Sequence, residues 1–266
     1  MDHPVLIFLA VVAGIGAGTL AGLIGIGGGI VIVPVIYYGL LSTGASVDTA
    51  AHVAVATSLA AIVPTSIISF LGHWRAGNTD FGFLREWGPP IAAGAVVAQL
   101  TTPHVGGSLI SGAFGLLCLA FAVRFAVPQR FQQVGEEPPN RLFRQCAGIG
   151  IGAAAGFAGT GGGILTNIVM TLSGMPMHKS IGRAAAAGIV VSIPATIVAT
   201  LASPSDDARA IGSVNMMIWA CIAPAQAAGA WFGSQLASGV SAEILSRVVA
   251  LALTVTGMTM IYSSMI

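Results

Sequence analysis

The chain has 266 residues, of which 55% are hydrophobic and only 7% are charged, and its net charge is +1 at pH 7. Soluble domains carry about 25% charged residues, so this composition excludes a water-soluble protein and predicts an all-α integral membrane protein. The small net charge gives no argument for a nucleic-acid partner. The three cysteines lie far apart, without the spacing of a metal site, and we expect no metal and no other cofactor.

Apolar runs alternate with polar breaks along the chain and predict ten helical segments in the bilayer. Their expected ranges are 4–26, 30–41, 47–71, 84–102, 104–127, 144–160, 164–174, 180–202, 211–237 and 243–264. The second segment supplies only about 18 Å of helix against a hydrocarbon thickness of about 30 Å, so it cannot span the bilayer alone. The seventh segment is similarly short, and we expect both to be pieces of broken helices.

One stretch of the sequence occurs twice: residues 14–30 and 148–164 are identical at eleven of seventeen positions, at an offset of 134 residues. The same offset relates Ser58 to Ser192, so the correspondence extends beyond the repeated stretch. We therefore predict two membrane repeats of about five helical segments each. The predicted units are an N-terminal repeat at 1–127, a cytoplasmic linker at 128–143 and a C-terminal repeat at 144–266.

Because five is an odd number, the second repeat must enter the bilayer from the opposite side, which makes the two repeats inverted in topology. If the amino terminus lies outside, nine of the ten Lys and Arg residues fall in inward loops or in the helix ends beside them. Only Arg209 then lies outside, next to Asp206 and Asp207. Cytoplasmic loops carry an excess of basic residues, so we predict a multi-pass protein of the plasma membrane, or cell inner membrane, with both termini outside.

Each copy of the repeated stretch ends in three consecutive glycines, and one of the two short segments follows. The glycines are Gly27, Gly28, Gly29 and Gly161, Gly162, Gly163. They should break the preceding helix, so that the next helix begins with unpaired N–H groups at the positive end of its dipole. An oxyanion can approach a backbone without side chains, so the triplets predict an anion site. The alternative is that they only allow close helix packing. Inverted repeats with interrupted helices recur in secondary transporters, whose substrate site lies where helices are broken. If the triplets bind a transported anion, Gly28→Val and Gly162→Val should abolish its transport and leave the protein in the membrane.

Polar residues inside the apolar segments extend this candidate substrate site. Thr57 and Ser58 lie in the middle of the third segment, where a hydroxyl either donates to an anion or bonds back to its own helix. Thr166 and Asn167 follow the second triplet. An asparagine at this depth requires a cavity or an interhelical hydrogen bond, and we expect the cavity.

Two further pairs are each four residues apart. Lys179 and Arg183 lie at the inner end of the eighth segment, where they either anchor the helix at the membrane surface or, in the case of Arg183, attract an anion. Asp48 and His52 lie at the outer end of the third segment. They are candidates for proton coupling, because a histidine beside a carboxylate can exchange a proton near neutral pH. The alternative is an acid at the helix start with a packed histidine beside it. Trp231, in the ninth segment, is expected to pack in the core.

Residues 25–34 read GIGGGIVIVP and resemble the first signature of the TauE/SafE sulfite exporter family, also called TSUP or the 4-toluene sulfonate uptake permease family. Residues 54–58 read AVATS and resemble the Ala-x-x-Thr-Ser that follows in that family's third segment. The resemblance covers essentially the whole chain. The second half departs from the pattern, since Ile168 stands where Pro34 stands in the first half and Val191 replaces Thr57. The resemblance implies transport of sulfite, a sulfonate or a related sulfur anion.

The leading prediction is a secondary carrier that exports a small sulfur-containing anion by alternating access at the interface of the two repeats. Protons are the candidate coupling ion, and the lipid bilayer is the surrounding partner. The alternative is an anion channel or an importer of a sulfur compound. The sequence has no HExxH and no GxSxG motif, so we do not expect an enzyme. It does not predict the oligomeric state.

Overall fold

The computed structural model describes residues 3–24, 27–79, 81–126, 140–202, 210–236 and 242–265. These residues form ten α-helices, a 3₁₀ turn and a two-stranded hairpin. The helices are α1 (His3–Ile24), α2 (Gly29–Ser42), α3 (Val47–Arg75), α4 (Phe81–Thr101), α5 (Gly107–Ala126), α6 (Arg141–Ala158), α7 (Gly163–Leu172), α8 (Met177–Leu201), α9 (Met216–Leu236) and α10 (Ala242–Met265). Each predicted segment is therefore a helix. Most of the predicted linker lies outside the described residues, as do Arg209, Asp206 and Asp207.

Local capping explains where several helices begin. At the start of α3 the Ser46 hydroxyl accepts the N–H of Thr49 at 3.2 Å, and at the start of α6 Asn140 Oδ1 accepts the N–H of Phe143 at 2.7 Å. Each cap satisfies an N–H group that the helix itself leaves unpaired. The short helices α2 and α7 have no such side-chain cap, and each begins after a glycine in the left-handed conformation.

Three helices are long and apolar enough to cross a membrane, judged by the length and composition of the described residues. They are α3, α5 and the Lys179–Leu201 part of α8. Helices α2 and α7 have only 14 and 10 residues. Their lengths are therefore about 21 and 15 Å, which confirms that neither can span a hydrocarbon core of about 30 Å.

The helices pack across the boundary between the two sequence halves. Helix α1 packs on α9, and its counterpart α6 packs on α4, which is the counterpart of α9. Helix α3 packs on its own counterpart α8, and α5 packs on α10. Exchanging the halves therefore maps this set of contacts onto itself, as expected if each half is a copy of one unit.

Glycines make two of these contacts close. Gly18 of α1 lies against the main chain of α9, where a side chain would overlap the Gln226 carbonyl. Its counterpart Gly152, in α6, lies in the same way against the Ile91 carbonyl of α4. The first part of the repeated stretch is thus a stripe of small residues that lets two helices approach, which is the role that the packing alternative predicts. The triplets at its end form turns instead.

A short hairpin, β1 (Ala210–Ile211) and β2 (Val214–Asn215), precedes α9 and folds back onto α3. The N–H of Asn215 donates to Thr57 Oγ1 at 3.0 Å. Val214 is buried beside Ala56 of α3. The ninth segment, predicted to begin at residue 211, therefore begins only at Met216.

Candidate functional site

Each glycine triplet forms a tight turn in front of a short helix. Gly27 and Gly28 of the first turn have φ values of 83° and 70°, and Gly161 and Gly162 of the second turn have values of 74° and 76°. These are left-handed conformations that glycine adopts without steric strain. The predicted helix breaks are therefore present, and both copies adopt the same backbone.

After each turn, the first hydrogen bonds of the next helix are accepted by the second glycine of the triplet. In α2 the N–H of Val31 donates to Gly28 O at 3.1 Å, and in α7 the N–H of Thr166 donates to Gly162 O at 3.0 Å. The N–H groups of the residues in between lie ahead of the ladder, at the positive end of the helix dipole. Each turn thus has main-chain donors of the kind that bind oxyanions.

The two turns touch each other at the boundary between the halves. A side chain at Gly29 would overlap the Gly159 carbonyl, and one at Gly27 would come within 2.8 Å of the Thr160 carbonyl oxygen. The Ser58 hydroxyl of α3 donates to Gly159 O at 3.0 Å, so it bonds to the second turn rather than back to its own helix. Two triplets that are far apart in sequence therefore form one cluster, and Ser58 belongs to it.

A different side chain covers each turn. A methyl group on Gly28 would overlap the side-chain amide of Gln226, from α9, whereas one on Gly162 would meet Val191 Cγ2, from α8, at 2.9 Å. Gln226 is fully buried, and its Nε2 donates to Gly27 O at 3.3 Å. Sequence reasoning did not assign Gln226 to the site. The available signal was an amide in the middle of an apolar segment.

Because the triplets are closely packed, loss of transport in a valine variant would have two causes. Valine at Gly28 or Gly162 would overlap its neighbours and would hold a β-branched residue at a left-handed φ. The loss of transport predicted for Gly28→Val and Gly162→Val would therefore follow from strain as well as from a blocked site.

Three hydroxyls of the second half are buried and have no partner among the described residues. They are Thr166 Oγ1 in the first turn of α7, and Ser192 Oγ and Thr196 Oγ1 in α8. A buried polar group without a partner is unfavourable by about 1–3 kcal/mol, so such groups point to a ligand or to water. Ser192 is the counterpart of Ser58, which is hydrogen-bonded, so the two halves differ here.

Two other predicted residues make contacts between elements. Thr57 Oγ1 accepts the N–H of Asn215 from the hairpin. Ser180 Oγ of α8 donates to Asn167, with its main-chain oxygen at 3.0 Å and its Oδ1 at 3.2 Å. This contact between helices is the alternative to the cavity that the sequence led us to expect around Asn167. Both residues therefore help to hold the helices around the turns.

Arg183 is half-buried near the start of α8, whereas Lys179 is exposed. The guanidinium Cζ lies 5.6 Å from the centre of the Phe83 ring, and Nη1 lies 3.9 Å from Met170 Sδ. Within the described part of the chain no carboxylate pairs with Arg183. A guanidinium with neutral neighbours keeps its charge available to attract an anion.

Asp48 and His52 contact the main chain of other residues rather than forming a side-chain pair. Asp48 Oδ1 accepts the N–H of Gly107 at 2.5 Å, which ties α3 to the start of α5. His52 Nδ1 lies 2.7 Å from the Asp48 carbonyl oxygen, and Nε2 lies 2.9 Å from that of Thr102. The ring of His52 thus joins the start of α3 to the turn that follows α4.

A separate cavity of about 680 Å³ lies beside the end of α2 and is lined by residues that include Tyr38, Leu41, Met258 and Tyr262. None of its lining side chains is charged, and none is a predicted site residue. This cavity therefore does not have the chemistry of an anion site.

Comparison with known proteins decides the family. The model of the family described as "Sulfite exporter TauE/SafE" matches residues 10–260. The chain belongs to the TauE/SafE family. A TauE/SafE relative from Haemophilus influenzae, named "Probable membrane transporter protein", is 32% identical over 187 residues, which are 70% of this chain and 71% of that protein. The "Probable membrane transporter protein YunE" of Bacillus subtilis is 26% identical over 260 residues, 91% of this chain and 90% of that protein.

No solved structure matches the chain. The resemblance noted at residues 25–34 and 54–58 is confirmed by the family match. The names of the relatives and the apolar helices together identify this TauE/SafE chain as a multi-pass membrane protein related to transporters. The transporter names agree with the expectation of a function other than catalysis.

Proposed function

We propose that this TauE/SafE chain is a secondary carrier that exports sulfite, an organosulfonate or a related small sulfur-containing anion across the plasma membrane. The observation that carries this proposal is the contact between the two glycine turns. Each half contributes a turn with main-chain N–H groups at the start of a short helix, and the turns meet in one buried cluster. Such donors match the oxygens of an oxyanion.

The anion binds where the two turns meet. The carbonyl oxygens of Gly159 and Gly27 already accept hydrogen bonds from Ser58 and Gln226, so their partial negative charges are compensated. The main-chain N–H groups then contribute more to the electrostatic potential at the turns than these carbonyl oxygens do, and the potential there is positive. Thr166 and Ser192 supply hydroxyls that lack a protein partner. Asn167 and Thr57 act on the site by positioning α7 and α3.

Arg183 captures the anion before it reaches the turns. With both termini outside, the start of α8 faces the cytoplasm, and the half-buried guanidinium of Arg183 raises the local concentration of anions there. Phe83 shields one face of that charge without neutralising it. The direction of transport in the proposal is therefore outward.

Alternating access follows from two repeats of inverted topology. Helices α2 and α7 are too short to span, so small displacements of either one open the meeting point of the turns to one side of the membrane or to the other. His52 is the proton site of the proposed coupling. Its Nε2 lies 2.9 Å from the Thr102 carbonyl oxygen, so this ring joins α3 to the turn that follows α4.

The test is counterflow in proteoliposomes. Vesicles loaded with unlabelled sulfite and diluted into labelled sulfite should accumulate label transiently and saturably if the protein is a carrier. Conductive flux without exchange would establish the channel alternative. Vesicles prepared without protein are the control, and absence of any protein-dependent flux of sulfite, thiosulfate or sulfonates would refute the proposal.

The substrate within this class can be found by thermal unfolding of the purified protein. A ligand that binds only the folded state stabilises it by about 2.7 kcal/mol at a concentration of 100 times Kd. Sulfite, sulfate, thiosulfate and several sulfonates should therefore be compared at equal ionic strength. In right-side-out vesicles, comparing the rate of efflux with the rate of uptake separates an exporter from an importer.

A further inference from the structure

Gln226 has a buried side-chain amide whose hydrogen-bonding capacity is only partly used. Its Nε2 donates to Gly27 O at 3.3 Å, which is longer than the usual distance of about 2.9–3.0 Å. Its Oε1 has no partner among the described residues, although the side chain is fully buried. An unpaired buried acceptor is unfavourable, so the stability of the fold does not explain this side chain.

The orientation of the Gln226 amide follows from the chemistry of its neighbour. The Gly27 carbonyl can only accept, so Nε2 must face it and Oε1 must face away. Nε2 carries a second hydrogen that Gly27 does not use. The amide therefore has one free donor and one free acceptor side by side.

This amide lies directly on the first glycine turn. A methyl group at Gly28 would overlap it, so the missing side chain at Gly28 makes room for Gln226. The residues that follow, Gly29 and Ile30, have N–H groups ahead of the α2 ladder. The Gln226 amide thus lies against the glycine that directly precedes these main-chain donors. A ligand with only acceptor oxygens would leave Oε1 unpaired.

We propose that Gln226 selects an oxyanion that carries its own proton, such as hydrogensulfite, at the first glycine turn. Oε1 accepts the O–H of the anion, the second Nε2 hydrogen donates to another of its oxygens, and the N–H groups of α2 bind the negative charge. A sulfonate has no O–H and leaves Oε1 unpaired, which disfavours it. This inference rests on the proposed function and specifies the protonation state of its substrate.

Gln99 of α4 is a matched control. It is also a buried glutamine in a membrane helix, but its Nε2 donates to Gly156 O within α6 at 2.6 Å. It therefore ties two packed helices together and makes no contact with Gly27 or Gly28 among the described residues. The sequence position that corresponds to Gln226 in the first half is Ala92, so the second turn has no equivalent amide.

The experiment measures the affinities of sulfite and methanesulfonate for purified wild-type, Gln226→Met and Gln99→Met proteins, from ligand-dependent thermal unfolding near neutral pH. We expect the wild-type protein to bind sulfite at least about tenfold more tightly than methanesulfonate. Gln226→Met should lose this preference. Gln99→Met should unfold at a lower temperature and keep the preference.

A second measurement uses the wild-type protein alone and does not depend on recovery of a variant. The share of hydrogensulfite falls as the pH rises, so the apparent affinity for sulfite should fall with it, while that for methanesulfonate stays constant. A wild-type protein without preference or without this pH dependence overturns the inference, as does a Gln226→Met protein that keeps the preference or a Gln99→Met protein that loses it. A wild-type protein that binds neither anion, nor thiosulfate, refutes the proposed function itself.

Discussion

The first and second glycine turns have the same backbone and different surroundings. Their left-handed φ values agree within about 10°. A polar amide from α9 covers Gly28, whereas the aliphatic side chain of Val191 from α8 covers Gly162. Ser58 is bonded to the second turn, but its counterpart Ser192 has no partner. The two copies of the repeated stretch thus share their main-chain geometry, while the side chains around them differ, so the two turns present different chemistry to a ligand.

The largest expected effect comes from removing the backbone geometry that the two turns share. Gly28→Ala and Gly162→Ala should each lower the free energy of unfolding by about 1–3 kcal/mol, because alanine is strained at these φ values and its methyl group meets a neighbour. Thermal unfolding of the purified variants measures this.

Gly16 of α1 provides the control for these variants. A methyl group there would meet nothing within 4 Å, so Gly16→Ala should be neutral or should stabilise the helix by up to about 1 kcal/mol. If Gly28→Ala unfolds at the wild-type temperature, the conclusion that glycine is required at that turn is wrong. Adding Val191→Ala to Gly162→Ala should restore part of the lost stability, since it removes the overlap and leaves the strain.

The two corresponding serines, Ser58 and Ser192, should contribute differently to stability. Ser58→Ala leaves the buried Gly159 carbonyl without its donor and should destabilise the protein by about 1–3 kcal/mol. Ser192→Ala removes a hydroxyl that has no partner, so it should leave stability unchanged or slightly increased. If Ser192 binds the anion, this variant should nevertheless show a higher KM for sulfite counterflow. Equal losses of stability in the two variants would contradict the asymmetry.

A smaller effect is expected from Arg183, a cation at a position where the first half has a neutral residue. Arg183 corresponds to Thr49 in the first half. Arg183→Gln should lower kcat/KM for anion transport several-fold and weaken its dependence on ionic strength, because steering by charge is screened by salt. Lys179→Gln, at an exposed position one turn away, is the matched control and should change both quantities less. An identical salt dependence in the wild-type and Arg183→Gln proteins would exclude a role in capture.

The smallest effect on exchange is expected at His52, because its counterpart in the second half is not a histidine. His52 corresponds to Ala186. His52→Gln removes the exchangeable proton, so sulfite counterflow should continue while accumulation driven by a pH gradient is lost. Asp48→Asn keeps an oxygen acceptor for the N–H of Gly107 and should retain the driven accumulation. Proton-driven transport that persists in His52→Gln would exclude this histidine as the coupling site.

Much of the helical layout was predictable because hydropathy and repetition are local signals. The ten segments, the two short helices and the glycine breaks follow from the length of apolar runs and from an exact offset in the sequence. The burial of aromatic residues was less predictable. Trp231 was expected in the core, yet it is 59% exposed to the surroundings of the protein. In a membrane the lipid is as apolar as the core, so composition does not distinguish the two faces of a helix.

The contacts around the turns were not predictable, because they join residues that are distant in sequence. The Asn215 N–H that meets Thr57 comes from a hairpin inside a stretch that was assigned to a helix. The amide of Gln226 reaches Gly27 only because α9 packs on α1. Neither contact has a local signature, since each depends on which helices become neighbours.

The glycine stripes of α1 and α6 also limit the order in which the protein can be made. Helix α1 is synthesised before its close partner α9, and seven of the described helices lie between them in the chain. During insertion α1 must therefore stay in the lipid with its glycine face unpaired until those seven helices have emerged. A ribosome stalled before α9 would hold a chain that is inserted and yet unassembled, and quality-control proteases of the membrane would meet it in that state.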